Sequence, residues 1–224
     1  MNRVVLSYPL SVNTPVYKDN PPVRIWPQTL IENGSPYNQY VIQTINHNGT
    51  HIDAPRHFNP QGKTLSEIPL DYFVFNRVSV IDVPKREDEL ITAADLMPWA
   101  DRIAGSDLLL IRTGFGRIRG SDPLRYGNRN PGFAASAARF LMAFDSLRAI
   151  GVDFISAAAA QKPEEGILFH QIMLGKGRKD GRFILIMEDL NLNRDLSQIR
   201  TVYAVPWFIE GVDSSQATIF GEKR

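Results

Sequence analysis

The sequence contains no cysteine among its 224 residues. This absence excludes a disulfide scaffold, a zinc site made of thiolates and a cysteine nucleophile. The sequence also has no excess of charge of one sign, because it contains 25 basic and 24 acidic residues and its net charge is +1. We therefore expect no sequence-wide positive field that would hold nucleic acid or an anionic membrane.

Long hydrophobic runs are absent as well, and the longest apolar stretches, such as 183–187, have the length of a strand. A membrane helix needs about 20 apolar residues, and a signal peptide needs a longer apolar region than the sequence start offers. We therefore expect a soluble, cytoplasmic protein. The hydrophobic fraction of 43% is sufficient for a substantial core, and the length fits a single domain over 1–224.

Short β-branched or aliphatic runs bounded by turn-forming residues predict strands. They lie at 4–6, 40–45, 78–83, 108–111, 183–187, 201–205 and 217–220. Apolar residues at helical spacing predict helices over 92–103, with Thr92 as N-cap, over 133–150, with Gly151 as the stop, and over 164–174. This order indicates an α/β or α+β domain with a mixed sheet. The stretch 114–132 is rich in Gly, Arg, Asn and Pro, which predicts a long surface loop that could act as a lid or an interface arm.

Three of the four histidines, His47, His51 and His57, fall within eleven residues together with Asp53. Imidazole and carboxylate groups are the ligands of divalent zinc, manganese and iron. In a fully extended strand His47 and His51 would lie about 13 Å apart, too far to share one ion. The chain is therefore expected to bend at Gly49, with a strand running into a turn and the ligands gathered at the strand's end.

The segment 47–58, His-Asn-Gly-Thr-His-Ile-Asp-Ala-Pro-Arg-His-Phe, resembles the signature of the cyclase family of metal-dependent hydrolases. That family includes bacterial kynurenine formamidases and isatin hydrolases. Further segments are similar to the family pattern. They lie at 151–153, 169–174, 186–192, 206 and 211–215.

The resemblance implies a swivelling β/β/α fold with a mixed sheet flanked by helices, and a small amide as the substrate. It assigns five metal ligands: His47, His51, Asp53, His170 and Glu188. Asp53 and Glu188 would bridge two ions of zinc or manganese, and His57 would be the general acid/base. The resemblance also implies a homodimer or homotetramer, with 114–132 as the candidate arm over the neighbouring site.

This assignment is consistent with hydrolysis of a C–N bond. Water near two cations is readily deprotonated, and an imidazole can exchange a proton near neutral pH. The resemblance makes N-formylkynurenine the first candidate substrate and tryptophan catabolism the expected context. Tyr17 departs from the pattern of kynurenine formamidases, which carry a pocket-lining tryptophan at the corresponding position, but it keeps an aromatic face and is the expected substrate-binding residue. Asp153 is expected to be a hydrogen-bonded support and not a ligand.

Two alternatives remain. One is an isatin-type imide or lactam hydrolase with a single manganese, which would depend less on Glu188 and His170. The other is a metal-binding protein without catalysis, against which the presence of His57 argues because that residue binds no metal in this scheme.

Overall fold

The computed structural model describes residues 3–223. The strands are β1 Arg3–Val5, β2 Arg24–Thr29, β3 Gln39–Gln43, β4 His51–Asp53, β5 Val74–Phe75, β6 Val78–Asp82, β7 Leu90–Ile91, β8 Leu108–Arg112, β9 Gly132–Phe133, β10 Ala149–Val152, β11 Leu185–Glu188, β12 Ile199–Pro206 and β13 Ser214–Lys223. The α-helices are α1 Ala93–Leu96, α2 Ala100–Ala104, α3 Pro123–Asn128, α4 Ala135–Leu141 and α5 Pro163–Met173. Short 3₁₀ helices span Ile31–Asn33, Pro55–His57, Leu65–Glu67, Leu70–Phe73, Met97–Trp99 and Phe115–Ile118.

A large mixed sheet has the strand order β5-β12-β13-β4-β11-β10-β8-β6, with β1 paired to β13. The strands β6, β8, β10 and β11 run parallel, whereas β4 is antiparallel to both β11 and β13. The two edge strands β5 and β6 are separated by only two residues of chain, so the sheet nearly closes on itself. The predicted α/β fold with a mixed sheet is confirmed.

Each face of this sheet carries its own hydrophobic core. In β8, Leu108 and Leu110 pack inside the nearly closed sheet, whereas Leu109 and Ile111 pack toward the helices. This alternation is the period of two that a strand imposes. Both faces of the central strands are therefore buried, as expected for parallel strands.

The predicted strands are confirmed with small shifts of their ends, and the helix predicted over 164–174 is α5. Thr92 is the N-cap of α1, as expected, and it also forms a capping box with Asp95. Pro98 interrupts the helical stretch with the 3₁₀ turn Met97–Trp99. The helix predicted over 133–150 is wrong in its second half, because α4 ends at Leu141 and 149–152 form β10. Pairing with β8 and β11 outweighs the local helical period there.

The surface loop predicted for 114–132 is also wrong. The segment contains the 3₁₀ helix Phe115–Ile118 and α3, and Tyr126 is fully buried. The Tyr126 hydroxyl donates to Asp189 Oδ1 at 2.7 Å, and the Arg119 guanidinium donates to both oxygens of Asp189 at 2.7 and 2.6 Å. These long-range contacts fold the segment onto its own chain.

Candidate metal centre

The turn before β4, and the pairing of β4 with β11 and β13, bring the histidine-containing segment 47–57 to the sheet. Gly49 adopts φ +72°, which confirms the predicted bend. The turn precedes β4 and follows β3, so His51 and Asp53 lie on a strand of their own and not in the turn. Because they are two residues apart in β4, both face the same side of the sheet.

The register of β4 with its neighbour places Glu188 directly opposite His51. His170 lies on α5, which packs on the same side of the sheet. The His51 Nε2 atom is 3.2 Å from Glu188 Oε2 and 3.5 Å from Asp53 Oδ1. The His170 Nε2 atom is 3.4 Å from Glu188 Oε1 and 3.7 Å from Asp53 Oδ2. All four side chains are almost completely buried.

Backbone carbonyls fix the orientation of the two buried imidazoles. His51 Nδ1 lies 2.7 Å from Gly49 O, and His170 Nδ1 lies 2.7 Å from Gly166 O. A carbonyl can only accept, so Nδ1 carries the proton in each ring and Nε2 points toward the carboxylates. This arrangement, with the second ring nitrogen held by a carbonyl, is typical of histidines that bind metals.

Unsatisfied polar atoms at the centre of this cluster fit a cation. His51 Nε2 and both carboxylate oxygens of Asp53 are buried and have no hydrogen-bond partner. A buried carboxylate without a partner is costly, whereas a divalent ion accepts several such lone pairs at once. One donor atom each of His51, Asp53 and Glu188 lie within 4.8 Å of one another. The donor set therefore fits a divalent metal ion.

A second group of possible ligands shares Asp53. One donor atom each of His47, Asp53 and His57 also lie within 4.8 Å of one another. His47 Nδ1 is 3.1 Å from Asp53 Oδ1. The structure thus brings the other four predicted ligands and His57 together around the buried carboxylate of Asp53.

Asp213, which was not predicted from the sequence, completes this side of the site. Its Oδ2 atom lies 2.7 Å from His57 Nδ1 and 3.1 Å from His47 Nε2. The only signal in the sequence was the similarity of 211–215 to the family pattern. No spacing argument links Asp213 to His57, because 156 residues separate them.

The carboxylates of Asp53 and Asp213 favour positive charge on or between the surrounding imidazoles. Burial disfavours the charged form of His47, but the nearby Asp53 and Asp213 outweigh this effect and raise the pKa of His47 to about 10. Burial also opposes ionisation of Asp53, and the surrounding histidines outweigh it and lower the pKa of that carboxyl. Protons on the imidazoles or a metal ion can supply the positive charge, and binding of a metal would release those protons.

A cavity of about 340 Å³ opens beside the cluster. It is lined by Tyr17, Asn20, Ile45, His47, His57, Phe58, Ile155, Ser156, Ala158, Pro163, Ile167, His170 and Glu188. Tyr17, the predicted substrate-binding residue, therefore borders the cavity. Burial, with the charge of Glu188 adding to it, raises the pKa of Tyr17 to about 12.

The supporting residues are held by buried hydrogen bonds. Asp153 accepts from Thr113 N and Oγ1 at 2.8 and 2.6 Å and from Gly114 N at 2.9 Å, as expected for a support. Glu188 Oε1 accepts from the backbone N–H of Ala157 at 2.6 Å. The 156–160 segment thus orients a candidate ligand as well as bordering the cavity.

The sequence model of the Cyclase family matches residues 4–159. The chain belongs to this family. An uncharacterized protein of Haemophilus influenzae is 37% identical over 121 residues, which are 54% of this chain and 85% of that protein. The kynurenine formamidase of Paracidovorax citrulli is 33% identical over 117 residues, which are 48% of this chain and 50% of that enzyme. The match thus spans half the length of that relative.

Solved structures of other proteins share the fold. An isatin hydrolase bound to the product analogue thioisatinate superposes with a TM-score of 0.82 at 21% identity, covering 99% of this chain and 92% of that one. A protein described as a potential metal-dependent hydrolase with cyclase activity has a TM-score of 0.74 at 25% identity, covering 100% of this chain and 98% of that one. The family member described here is thus related to metal-dependent hydrolases in sequence and in fold. Within residues 3–223, no helix has the length and apolar character needed to cross a membrane.

Proposed function

We propose that this Cyclase-family metal-dependent hydrolase cleaves a carbon–nitrogen bond in a small aryl or cyclic amide, with N-formylkynurenine as the first substrate to test. The observation that carries the proposal is the buried Asp53 carboxylate, which has no hydrogen-bond partner and is surrounded by imidazoles. Relatedness to a kynurenine formamidase supports the reaction class.

The family resemblance implies a centre for two ions, of zinc or manganese, and the two groups of possible ligands that share Asp53 are consistent with it. His47, His51 and Asp53 would hold the first, and Asp53, His170 and Glu188 would hold the second. When bound, such ions lower the pKa of water and polarise a carbonyl oxygen. The shared Asp53 can serve both sites because its two oxygens face different histidines: Oδ1 is near His47 and His51, and Oδ2 is near His170.

His57 is the residue that we propose to move the proton. Its Nδ1 atom is engaged by Asp213, and its ring borders the cavity. The Nε2 atom would accept a proton as water adds to the substrate carbonyl carbon. It would return that proton to the amide nitrogen as the C–N bond breaks, so that a carboxylic acid and an amine are released.

The cavity walls support a flat, largely apolar substrate. Phe58, Ile155 and Ile167 supply apolar surface. Tyr17, whose high pKa keeps the phenol protonated, would donate a hydrogen bond to the substrate while its ring covers one face.

Hydrolysis of N-formylkynurenine by the purified protein tests the proposal. The protein is stripped with a chelator, reloaded with zinc or manganese, and assayed with its metal content measured in parallel. We expect turnover that disappears on chelation and returns with metal. A metal-loaded protein that hydrolyses neither N-formylkynurenine nor a neutral aryl or cyclic amide would contradict the proposal.

An isatin-type lactam hydrolase is the second candidate, and the lining of the cavity favours it. None of the described residues that line the cavity is a lysine or an arginine, so neither of these side chains is available there to pair with the carboxylate of an amino-acid substrate. If a single manganese suffices, Glu188→Ala should retain the metal content of the unaltered protein. A non-catalytic metal-binding role would be indicated if His57→Ala and the unaltered protein bind metal equally and neither turns over an amide.

We also propose that the chain forms a homodimer or homotetramer, with the β2–β3 hairpin as the contact surface. The 114–132 segment is folded onto its own chain, whereas this hairpin pairs only with itself in the described part of the chain. It exposes Trp26, Ile31, Tyr37, Tyr40 and Ile42. A two-stranded hairpin is marginally stable alone, and a second copy would bury these side chains.

A further inference from the structure

Asp213 stands immediately before β13, at the point where this strand pairs with β4. The next residue, Ser214, is opposite Asp53 in the register. The backbone carbonyl of Asp213 also accepts from Ala54 N at 2.9 Å. The position of Asp213 is therefore fixed relative to the strand that carries the candidate ligands.

Both carboxylate oxygens of Asp213 have defined partners. Oδ1 accepts from Asn46 Nδ2 at 2.7 Å, which leaves Oδ2 to the histidines. Oδ2 lies 2.7 Å from His57 Nδ1 and 3.1 Å from His47 Nε2. Asn46 therefore orients the carboxylate so that a single oxygen meets two imidazoles.

We infer that Asp213 is the positioning residue for His57 in the proposed reaction, on which this inference rests. A carboxylate oxygen accepts, so the close contact holds the proton of neutral His57 on Nδ1 and leaves the lone pair on Nε2. His57 borders the cavity, whereas Asp213 is not among the described residues that line it. Asp213 thus acts on the reaction through His57 and does not touch the substrate.

A double-mutant cycle tests this assignment in the zinc-loaded full chain, with N-formylkynurenine or the best neutral amide as substrate. Asp213→Asn should lower kcat by about 10²- to 10⁴-fold, the usual contribution of a general acid/base, while KM changes by less than about twofold. Asp213→Asn combined with His57→Ala should be no slower than His57→Ala alone, because the two residues act as one unit.

Asp82→Asn is the matched control, since Asp82 forms a surface ion pair with Arg112 away from the described site. It should keep the kcat of the unaltered protein. An Asp213→Asn variant with the kcat of the unaltered protein would overturn the assignment. So would a double variant in which the kcat losses of the two single variants multiply. Loss of zinc from Asp213→Asn at saturating zinc would also overturn the assignment. It would show instead that Asp213 supports metal binding through its contact with His47.

A readout without substrate separates this inference from the proposed function. In the zinc-loaded protein labelled with ¹⁵N-histidine, the ring nitrogens of His57, assigned with His57→Ala, should show Nδ1 protonated. In Asp213→Asn, both the Nδ1-protonated and the Nε2-protonated tautomer of His57 should be populated. This result stands even if no substrate is turned over, and an unchanged tautomer in Asp213→Asn would overturn the inference by itself.

Discussion

At the scale of single residues, the energetics of the site centre on Asp53. Its two oxygens are buried, form no hydrogen bond, and lie near the ring nitrogens of His47, His51 and His170. An ionised carboxylate in such a place needs cations around it. The same residue belongs to both groups of candidate ligands, so a change at this position affects both at once.

We expect Asp53→Asn to lose bound metal and turnover together. The amide keeps the shape of the side chain but removes the charge that both groups share. Metal analysis after loading and desalting, together with the hydrolysis assay, measures the two losses. Retention of wild-type metal content and activity would refute the site. Asp82→Asn, which changes an exposed carboxylate, should leave both quantities unchanged.

A second residue-scale prediction concerns Tyr126, whose buried hydroxyl donates to Asp189. Tyr126→Phe should lower the free energy of unfolding by about 1–3 kcal/mol, because a hydrogen bond to a charged group is lost in the interior. Urea denaturation at fixed metal concentration measures the change. Tyr203→Phe, at a half-buried tyrosine outside the β2–β3 hairpin that keeps its ring stacking on Phe220, should stay within about 0.5 kcal/mol of the unaltered protein. Equal effects of the two substitutions would contradict this account.

At the scale of elements, α3 supports the loop that carries Tyr17. Gly127 in α3 packs so closely on the Tyr17 segment that an added Cβ would lie 2.1 Å from Val16 O. The Lys18 backbone N–H also donates to Gly127 O at 3.2 Å. Because the obstructing atom belongs to the backbone, no side-chain rotation can make room there.

Gly127→Ala should therefore displace the Tyr17 loop and raise KM severalfold, with a loss of stability of about 1–3 kcal/mol. Gly120→Ala is the matched control, since no atom lies within 4 Å of its added Cβ. It should keep the kinetic constants of the unaltered protein. Steady-state kinetics with both variants checks the prediction, and an unchanged KM in Gly127→Ala would contradict the support of the loop by α3.

Elements with a local signal could be predicted from the sequence. The capping box at Thr92, the apolar period of α5 and the bend at Gly49 depend on residues a few positions apart. Strand β10 could not be predicted, because it is specified by pairing with β8 and β11. Tyr126 was missed for a similar reason, since the contact that buries it joins distant parts of the chain.

The same distinction applies to the candidate site. The spacing of His47, His51, Asp53 and His57 is local and indicated the cluster by itself. His170 and Glu188 required the family resemblance, because neither carries a local signal. Asp213 could not be identified without the structure, since its role depends on the register of β13 with β4.

At the scale of the whole molecule, metal should stabilise the fold because β4, β11 and α5 meet at the candidate ligands. Metal at about 100 times its Kd should add about 2.7 kcal/mol per site to the free energy of unfolding. For a chain of this size Tm should fall by about 2–4 °C per kcal/mol when a chelator is added. Thermal unfolding with and without chelator measures the shift. Asp53→Asn should show none, and an equal shift in that variant would place the stabilising metal elsewhere.

The proposed association through the β2–β3 hairpin is tested with Ile42→Lys. A charge in the apolar contact should shift the chain toward monomer, which sedimentation velocity measures directly. Leu124→Lys changes a still more exposed apolar residue outside the hairpin and should leave the oligomer intact. Dissociation by Leu124→Lys and not by Ile42→Lys would assign the interface to α3.

The position of β4 between β11 and β13 has a consequence for biosynthesis. The ribosome releases His51 and Asp53 long before Glu188 and the strands that flank β4. At typical elongation rates the delay is on the order of ten seconds. Throughout that time His47, His51 and Asp53 lack the two strands that flank β4 in the finished sheet, and the proposed second ion lacks His170 and Glu188. We therefore expect the complete metal centre to form only after the last strands emerge, so that the ions available to the finished protein decide which metals it carries.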